Sequence, residues 1–334
     1  MLTKHPGVLT IGLFLILVMA FSNACGETAA AEKSGRGFSA WVQELRNEAL
    51  ARGISSSTLD KALAEVDAPL ERIIELDRNQ PETKLSLSEY LEQRLTPERI
   101  AKGKKMLERH ASLLVELQQR YGVPARFIVA LWGLETSYGS YTGGFPVIHA
   151  LATLAYDERR SAYFRGELLQ ALEIIDAGHI EAEDMQGSWA GAMGQCQFMP
   201  SSFLKYAVDE DGDGAIDIWN SIPDVLASAA NYLHQAGWET GYTWGRKVSI
   251  PEHLDQEMLG LDTRISLQEW TDCGVKRANG APLPNVDIEA SLIQPDGRDT
   301  DAWLVYHNFR VILKWNRSNA FGVAVGTLAD ALRD

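Results

Sequence analysis

The sequence predicts a mainly α-helical protein carrying one small mixed α+β insert. Two observations support this. Apolar residues recur at helical spacing along most of the chain. From Ser249 to Asp301 that spacing gives way to Pro, Gly, Asp and Asn, with short apolar runs such as Ala290-Ser291-Leu292-Ile293. Composition agrees: hydrophobic residues are 46% and charged residues 23% of 334, enough for one large buried core or two ordinary ones.

The elements follow in order. Phe38, Trp41, Leu45 and Ala49 mark a first helix that Gly53 stops. Thr96-Pro97-Glu98 starts another, with a capping hydroxyl, Pro in the first turn and an early acid. It is expected to run through Leu107, Leu114 and Leu117 to Tyr121-Gly122. Pro124 opens a helix bearing Phe127, Ile128, Leu131, Leu134 and Tyr138, closed by Gly139. Arg160 to Asp176 stacks Phe164, Leu168, Leu172 and Ile175, with Gly178 behind it. Val225 to Ala236, stopped by Gly237, and Ala320 to Leu332 complete the set.

The first residues read as an export signal. Lys4 and His5 precede an apolar run from Val8 to Phe21, then the small cleavage-type residues Ser22-Asn23-Ala24. The run is short for a bilayer span. The expected organisation is a signal peptide over 1–24, a flexible tether over 25–37, a helical domain over 38–248 plus 302–334, and the small insert over 249–301. Cys25 directly follows the cleavage point, where bacterial lipoproteins carry their acylated cysteine, but Ser22 stands where such sites usually have Leu. The sequence therefore leaves open a lipid on Cys25 and attachment to the outer membrane. Pairing of Cys196 with Cys273 is equally open, because spacing does not bring two cysteines together. The formal net charge of −14 and the lack of a dense Lys/Arg cluster argue against a nucleic-acid partner.

Three segments carry chemistry. In Leu131-Trp132-Gly133-Leu134-Glu135-Thr136-Ser137-Tyr138-Gly139, a continuous helix would put Glu135 on one face with Ile128, Leu131 and Tyr138. Apolar neighbours disfavour the charged carboxylate, raise its pKa and make it a proton donor near neutral pH. The pattern alone also allows a solvent-facing glutamate at the end of an amphipathic helix. The second segment, Gly187 to Ser202, is rich in Gly and Ala, so its backbone can approach a ligand closely. Ser188, Gln195 and Gln197 offer groups suited to sugars and N-acetyl moieties, and Trp189 and Phe198 offer faces for sugar rings to stack on. A tight packing loop is the competing reading. The third segment, Asp209-Glu210-Asp211-Gly212-Asp213-Gly214-Ala215-Ile216-Asp217, has the spacing of a calcium loop. Asn220 stands where the closing Glu is usual, and Asp224 is a later carboxylate that can complete the shell.

Together these segments resemble the membrane-bound lytic murein transglycosylase B family from about Tyr90 to Leu332. The most specific matches are Gly191-Ala192-Met193-Gly194 and Gln197-Phe198-Met199-Pro200-Ser201-Ser202. Ala150-Leu151-Ala152-Thr153-Leu154, Arg159-Arg160, Tyr163-Phe164, Ala230-Asn231-Tyr232 and Gly237-Trp238 add to them. The resemblance implies a lysozyme-like helical catalytic core with a small mixed subdomain, acting in the periplasm on peptidoglycan glycan strands. The implied reaction cleaves between N-acetylmuramic acid and N-acetylglucosamine and leaves a 1,6-anhydro sugar, with Glu135 as the single catalytic acid then base. It places Tyr90, Arg159, Arg160, Ser188, Gln197, Phe198, Tyr232 and Asn316 on glycan-contacting positions. It puts a structural Ca2+ on Asp209, Asp211, Asp213, the Ala215 carbonyl and Asp224, and calls for no organic cofactor. Trp315 departs from the pattern, standing where a related enzyme has Tyr, and the 249–301 stretch aligns poorly. A lysozyme-type hydrolase, a non-catalytic peptidoglycan-binding protein and a plain calcium-binding protein are the competing functions.

Overall fold

The computed structural model describes residues 37–79 and 85–333. The expected signal peptide, Cys25 and all of the tether except Gly37 lie outside the described residues.

Among those residues the chain forms fourteen α-helices and seven short strands. Helices α1 (Phe38–Ala51), α2 (Ser56–Ala62) and α3 (Glu71–Asn79) come first. Next are α4 (Leu87–Arg94), α5 (Pro97–Arg109), α6 (Ala111–Tyr121) and α7 (Ala125–Thr136). After β1 (Phe145–Pro146) run α8 (Val147–Tyr156), α9 (Ser161–Asp176), β2 (Gln186–Gly187), α10 (Pro200–Tyr206) and α11 (Ile222–Gln235). The chain then passes through β3 (Gly245–Ser249), β4 (Ile265–Ser266), α12 (Leu267–Asp272), β5 (Lys276–Arg277), β6 (Glu289–Ile293) and β7 (Ala302–Val305). It ends with α13 (His307–Trp315) and α14 (Asn319–Ala331).

Local chemistry sets most boundaries. Thr96 accepts the Arg99 amide at 3.3 Å and Pro97 fills the first turn of α5. Ser86 and Glu89 form a reciprocal capping box at α4. Gly53, Gly178 and Gly237 close α1, α9 and α11 at positive φ.

Two expectations need correction. The helix expected from Thr96 to Tyr121 is two helices, because His110 leaves helical geometry (φ −109°, ψ 23°). Its ring turns edge-on to Trp132, with centroids 6.0 Å apart, and the bend lets both halves pack on α7. In addition, α7 ends at Thr136, and both Ser137 and Tyr138 take the left-handed conformation (φ 50° and 59°). Tyr138 therefore does not share a helical face with Glu135. Its ring folds back to Trp132 at 5.7 Å, and its hydroxyl donates to the Arg99 carbonyl at 2.9 Å.

Every residue of α7 from Phe127 to Leu134 is buried. A helix apolar on all sides belongs at the centre of a core, and α5, α6, α11 and α14 surround it. Strands β4-β6-β7-β3-β5 form one antiparallel sheet, so it includes Gly245–Ser249 and Ala302–Val305 on either side of 249–301. A separate core of Val248, Leu267, Trp270, Leu292 and Leu304 supports it. Cys196 is buried in the helical body and Cys273 lies in this insert; both are free thiols. No helix among the described residues is long and apolar enough to cross a membrane.

Candidate active site

Glu135, the penultimate residue of α7, is half-buried, and its carboxyl sits deep among protein atoms. Loss of hydration pushes its pKa up to about 8. Two groups oppose that rise: Trp315 Nε1 donates to Glu135 Oε1 at 2.7 Å, and the positive field of Arg94 reaches it. The carboxyl is thus largely protonated at neutral pH and can give and retake a proton.

Tyr90 and Arg94 come from α4. Arg94 lies over the Tyr90 ring, 5.4 Å from its centroid. Burial raises the Tyr90 phenol pKa; Arg94 opposes the rise and the nearby Glu135 adds to it. Phe198, Tyr232 and Trp315 form an aromatic cluster beside the carboxyl, with centroids 4.7–5.7 Å apart. The Tyr232 hydroxyl donates to the Lys314 carbonyl at 2.6 Å, so its polar end is committed to holding α13.

The left-handed turn after Glu135 is held from α5. Lys102 Nζ donates to the Ser137 carbonyl at 2.7 Å, and Arg99 donates to Ser137 Oγ at 3.0 Å and to the Arg94 carbonyl at 2.5 Å. Consecutive non-glycine residues at positive φ are strained and persist where their surroundings over-determine them. Thr136 then ties the helix end to the Gly187–Ser202 loop, its hydroxyl donating to the Gln195 carbonyl at 3.1 Å.

That loop is built by backbone pairing of Gly187 with Met193 and of Met193 with Phe198. The Gln195 side chain is a strut rather than a ligand group: it accepts from Trp132 Nε1 and donates to the Trp219 carbonyl, each at 2.8 Å. A Cβ on Gly139 would lie 2.1 Å from Gln195 Oε1, and Gly139 is at φ +73°, so only glycine fits there. Ser188 Oγ accepts the Ala192 amide at 3.1 Å. Gln197 donates to the carbonyls of Thr142 and Gly194, each at 2.9 Å, while its buried Oε1 has no partner. An unpaired buried acceptor costs about 1–3 kcal/mol, so a ligand donor at this atom would relieve it. Asn316 Oδ1 accepts the Ser318 amide at 3.0 Å. Cys196 packs as a small apolar residue, its thiol donating to the Val225 carbonyl at 3.2 Å. Burial pushes that thiol pKa up, so it stays protonated.

Glu167 was not marked by the sequence. It is 4% exposed and accepts from Ser201 N at 2.9 Å and Ser201 Oγ at 2.7 Å, capping α10 and fixing the end of the loop. Burial raises its pKa, against those hydrogen bonds. Arg159 and Arg160 both grip the buried Asp77 on α3; Arg159 Nε is 3.0 Å from Asp77 Oδ2.

Asp209, Asp211 and Asp213 bring one carboxylate oxygen each within 4.8 Å of one another. Oxygens bound to one calcium at about 2.4 Å lie no further apart than this, so the three fit a shared cation. Asp224 is fully buried, and its oxygens accept the amides of Glu210 (2.8 Å), Asp211 (3.4 Å) and Asp217 (2.8 Å). It anchors the loop from below and stands outside the group of three carboxylates.

A family model for the transglycosylase SLT domain matches residues 37–330. Membrane-bound lytic murein transglycosylase B of Escherichia coli (strain K12) is 34% identical over 250 residues, 73% of this chain and 66% of that protein's own length. Among solved structures, SltB3 from Pseudomonas aeruginosa in complex with NAG-anhNAM-pentapeptide superposes with a TM-score of 0.86. It is 47% identical, over 89% of this chain and 80% of that one. The Escherichia coli lytic transglycosylase SLT35 in complex with calcium gives a TM-score of 0.76. It is 31% identical, over 87% of this chain and 92% of that one.

Proposed function

This chain belongs to the transglycosylase SLT domain family, and from that premise we propose that it is a lytic transglycosylase. It cleaves the β-1,4 bond between N-acetylmuramic acid and N-acetylglucosamine in peptidoglycan and leaves 1,6-anhydromuramyl ends. The observation that carries the mechanism is the half-buried Glu135, whose carboxyl has a pKa pushed up to about 8 and one indole hydrogen bond.

Ordinary glycosidases use two carboxylates. Here Glu167 is occupied by Ser201 and Asp209, Asp211 and Asp213 form a cation site, so the substrate supplies the second group. Glu135 gives its proton to the glycosidic oxygen as the bond from that oxygen to C1 of the muramyl sugar breaks. The N-acetyl group or the ring oxygen shares the positive charge at C1. Glu135, now a carboxylate, takes the proton of the muramyl 6-hydroxyl as O6 bonds to C1. The proton count closes and no water enters.

Gln197 Oε1 accepts from a sugar N–H or O–H, and the ring faces of Tyr90 and Phe198 stack against the glycan. Ser188 and Asn316 orient the N-acetyl group, Tyr232 fixes the aromatic wall, and Arg159 and Arg160 face the lactyl or peptide carboxylate with Asp77 holding them. Calcium on Asp209, Asp211, Asp213 and the Ala215 carbonyl fixes the loop between α10 and α11; Asp224 holds that loop from below. The signal expected over 1–24 delivers the chain to the periplasm, and mass spectrometry of the mature N-terminus reads whether Cys25 carries a lipid.

The test is mass spectrometry of fragments released from purified peptidoglycan by the mature chain and by Glu135→Gln. Anhydro-ended fragments from the parent alone are expected. Reducing-ended fragments would make it a hydrolase, and no fragments would leave a binding protein.

A further inference from the structure

The insert reaches the helix that carries Tyr90 and Arg94 through the carboxylate of Asp296. We propose that Asp296, in the turn between β6 and β7, is a positioning residue that holds α4 so that Tyr90 and Arg94 face Glu135; this rests on the function proposed above.

The amides of the first turn of α4 are fully accounted for. Glu89 N goes to Ser86 Oγ at 3.3 Å and Tyr90 N to the Ser86 carbonyl at 2.9 Å. The two left over, Leu87 N and Ser88 N, donate to Asp296 Oδ1 at 2.5 Å and Oδ2 at 3.1 Å, across more than 200 residues of sequence. A carboxylate straddling two free amides at a helix start combines charge-assisted hydrogen bonds with the favourable end of the helix dipole. The capping box already serves α4 by itself, so Asp296 adds location: it fixes where the helix begins relative to the sheet.

The turn that presents Asp296 is stiff. Gly297 N donates to the Gln294 carbonyl at 3.1 Å across Pro295, Thr300 Oγ1 donates to the Gly297 carbonyl at 2.6 Å, and Gln294 Nε2 donates to the Thr300 carbonyl at 2.8 Å. At the other end, Arg99 holds the Arg94 carbonyl at 2.5 Å and the turn after Glu135 through Ser137 Oγ at 3.0 Å. Helix α4, about 12 Å long, packs on α14 and is pinned by hydrogen bonds at one end to the insert and at the other to the catalytic turn. If the Asp296 end is released, α4 pivots about Arg99. Tyr90, halfway along, then swings away from the carboxyl, and Arg94 turns with it.

The experiment compares Asp296→Ala, Asp296→Asn and the exposed insert control Asp301→Ala with the parent chain. It measures kcat/KM for fragment release across pH, together with Tm. For Asp296→Ala a roughly tenfold loss in kcat/KM is expected, the size of effect a small misplacement of a catalytic group produces. The alkaline limb should also move to higher pH, because a displaced Arg94 no longer favours the Glu135 carboxylate. Asp296→Asn keeps one acceptor for two amides and should fall between, and Asp301→Ala should match the parent. A parent-like rate and limb in Asp296→Ala would overturn the proposal. So would a loss that merely follows a lowered Tm while the limb stays in place. If Asp296→Ala does not fold, Asp296→Asn decides by the same two readings. An inactive parent chain would instead count against the proposed function.

Discussion

Trp315→Phe isolates the hydrogen bond that tunes the proposed catalytic acid, Glu135. The indole Nε1 of Trp315 donates to Glu135 Oε1 at 2.7 Å and is the larger of two influences holding that carboxyl down against burial. A hydrogen bond to a charged group contributes about 1.5–3 kcal/mol, but a protonated carboxyl also accepts from the indole through its carbonyl oxygen. The part that distinguishes the two protonation states is therefore smaller, about 1.4 kcal/mol, or one pKa unit. Phenylalanine keeps most of the packing on Phe198 and Tyr232, whose ring centroids lie 5.1 and 4.7 Å from that of Trp315, so the cleft wall survives. In the proposed mechanism Glu135 has to be protonated to act, so the alkaline limb of kcat/KM reports its ionisation in the free enzyme. That limb, expected near pH 8 in the parent from the raised Glu135 pKa, should move up by about one unit in Trp315→Phe. The assay is the initial rate of soluble fragment release from peptidoglycan between pH 5 and 10. A limb that stays in place, or moves towards acid, would refute the assignment of Trp315 as the group stabilising the Glu135 carboxylate.

Two further predictions follow from the same contacts. Glu135→Gln should raise Tm, and by more at pH 9 than at pH 4. The folded pKa is about 8, well above 4.5, so the protonated acid contributes full stability below pH 4.5 and that stability is lost as pH rises to 8; the gap has an upper limit of about 5 kcal/mol. A Tm difference independent of pH would contradict this. Removing calcium with a chelator should lower Tm by several degrees, since a ligand at a hundred times its Kd contributes about 2.7 kcal/mol. Asp209→Ala, which removes one of the three clustered carboxylates, should abolish that response; if the mutant still answers to calcium, the ion binds elsewhere.

Much of this protein was readable along the chain. The helix starts at Thr96-Pro97 and the stops at Gly53, Gly178 and Gly237 stand as expected, because capping and glycine conformation act within four or five residues. The calcium-type spacing is local in the same way: alternate aspartates in one turn bring their oxygens within 4.8 Å of one another. Glu135 as candidate acid also came from sequence: its apolar neighbours Ile128 and Leu131 allowed a raised pKa, and the family resemblance singled it out.

The setting of that acid came only from tertiary structure. Trp315 meets Glu135 across 180 residues, Arg94 reaches it from a separate helix, and Asp296 caps that helix from the insert. Tyr138 was placed on the wrong surface because a helical offset assumes that the helix continues. Here it stops at Thr136, where Lys102 and Arg99 hold the left-handed turn. Gln195 reads as a sugar ligand by residue type and is a strut because two tryptophans lie at its two ends. Hydrogen bonds within a turn are fixed by backbone geometry. A partner hundreds of residues away is fixed only when the cores have packed and brought the two surfaces together.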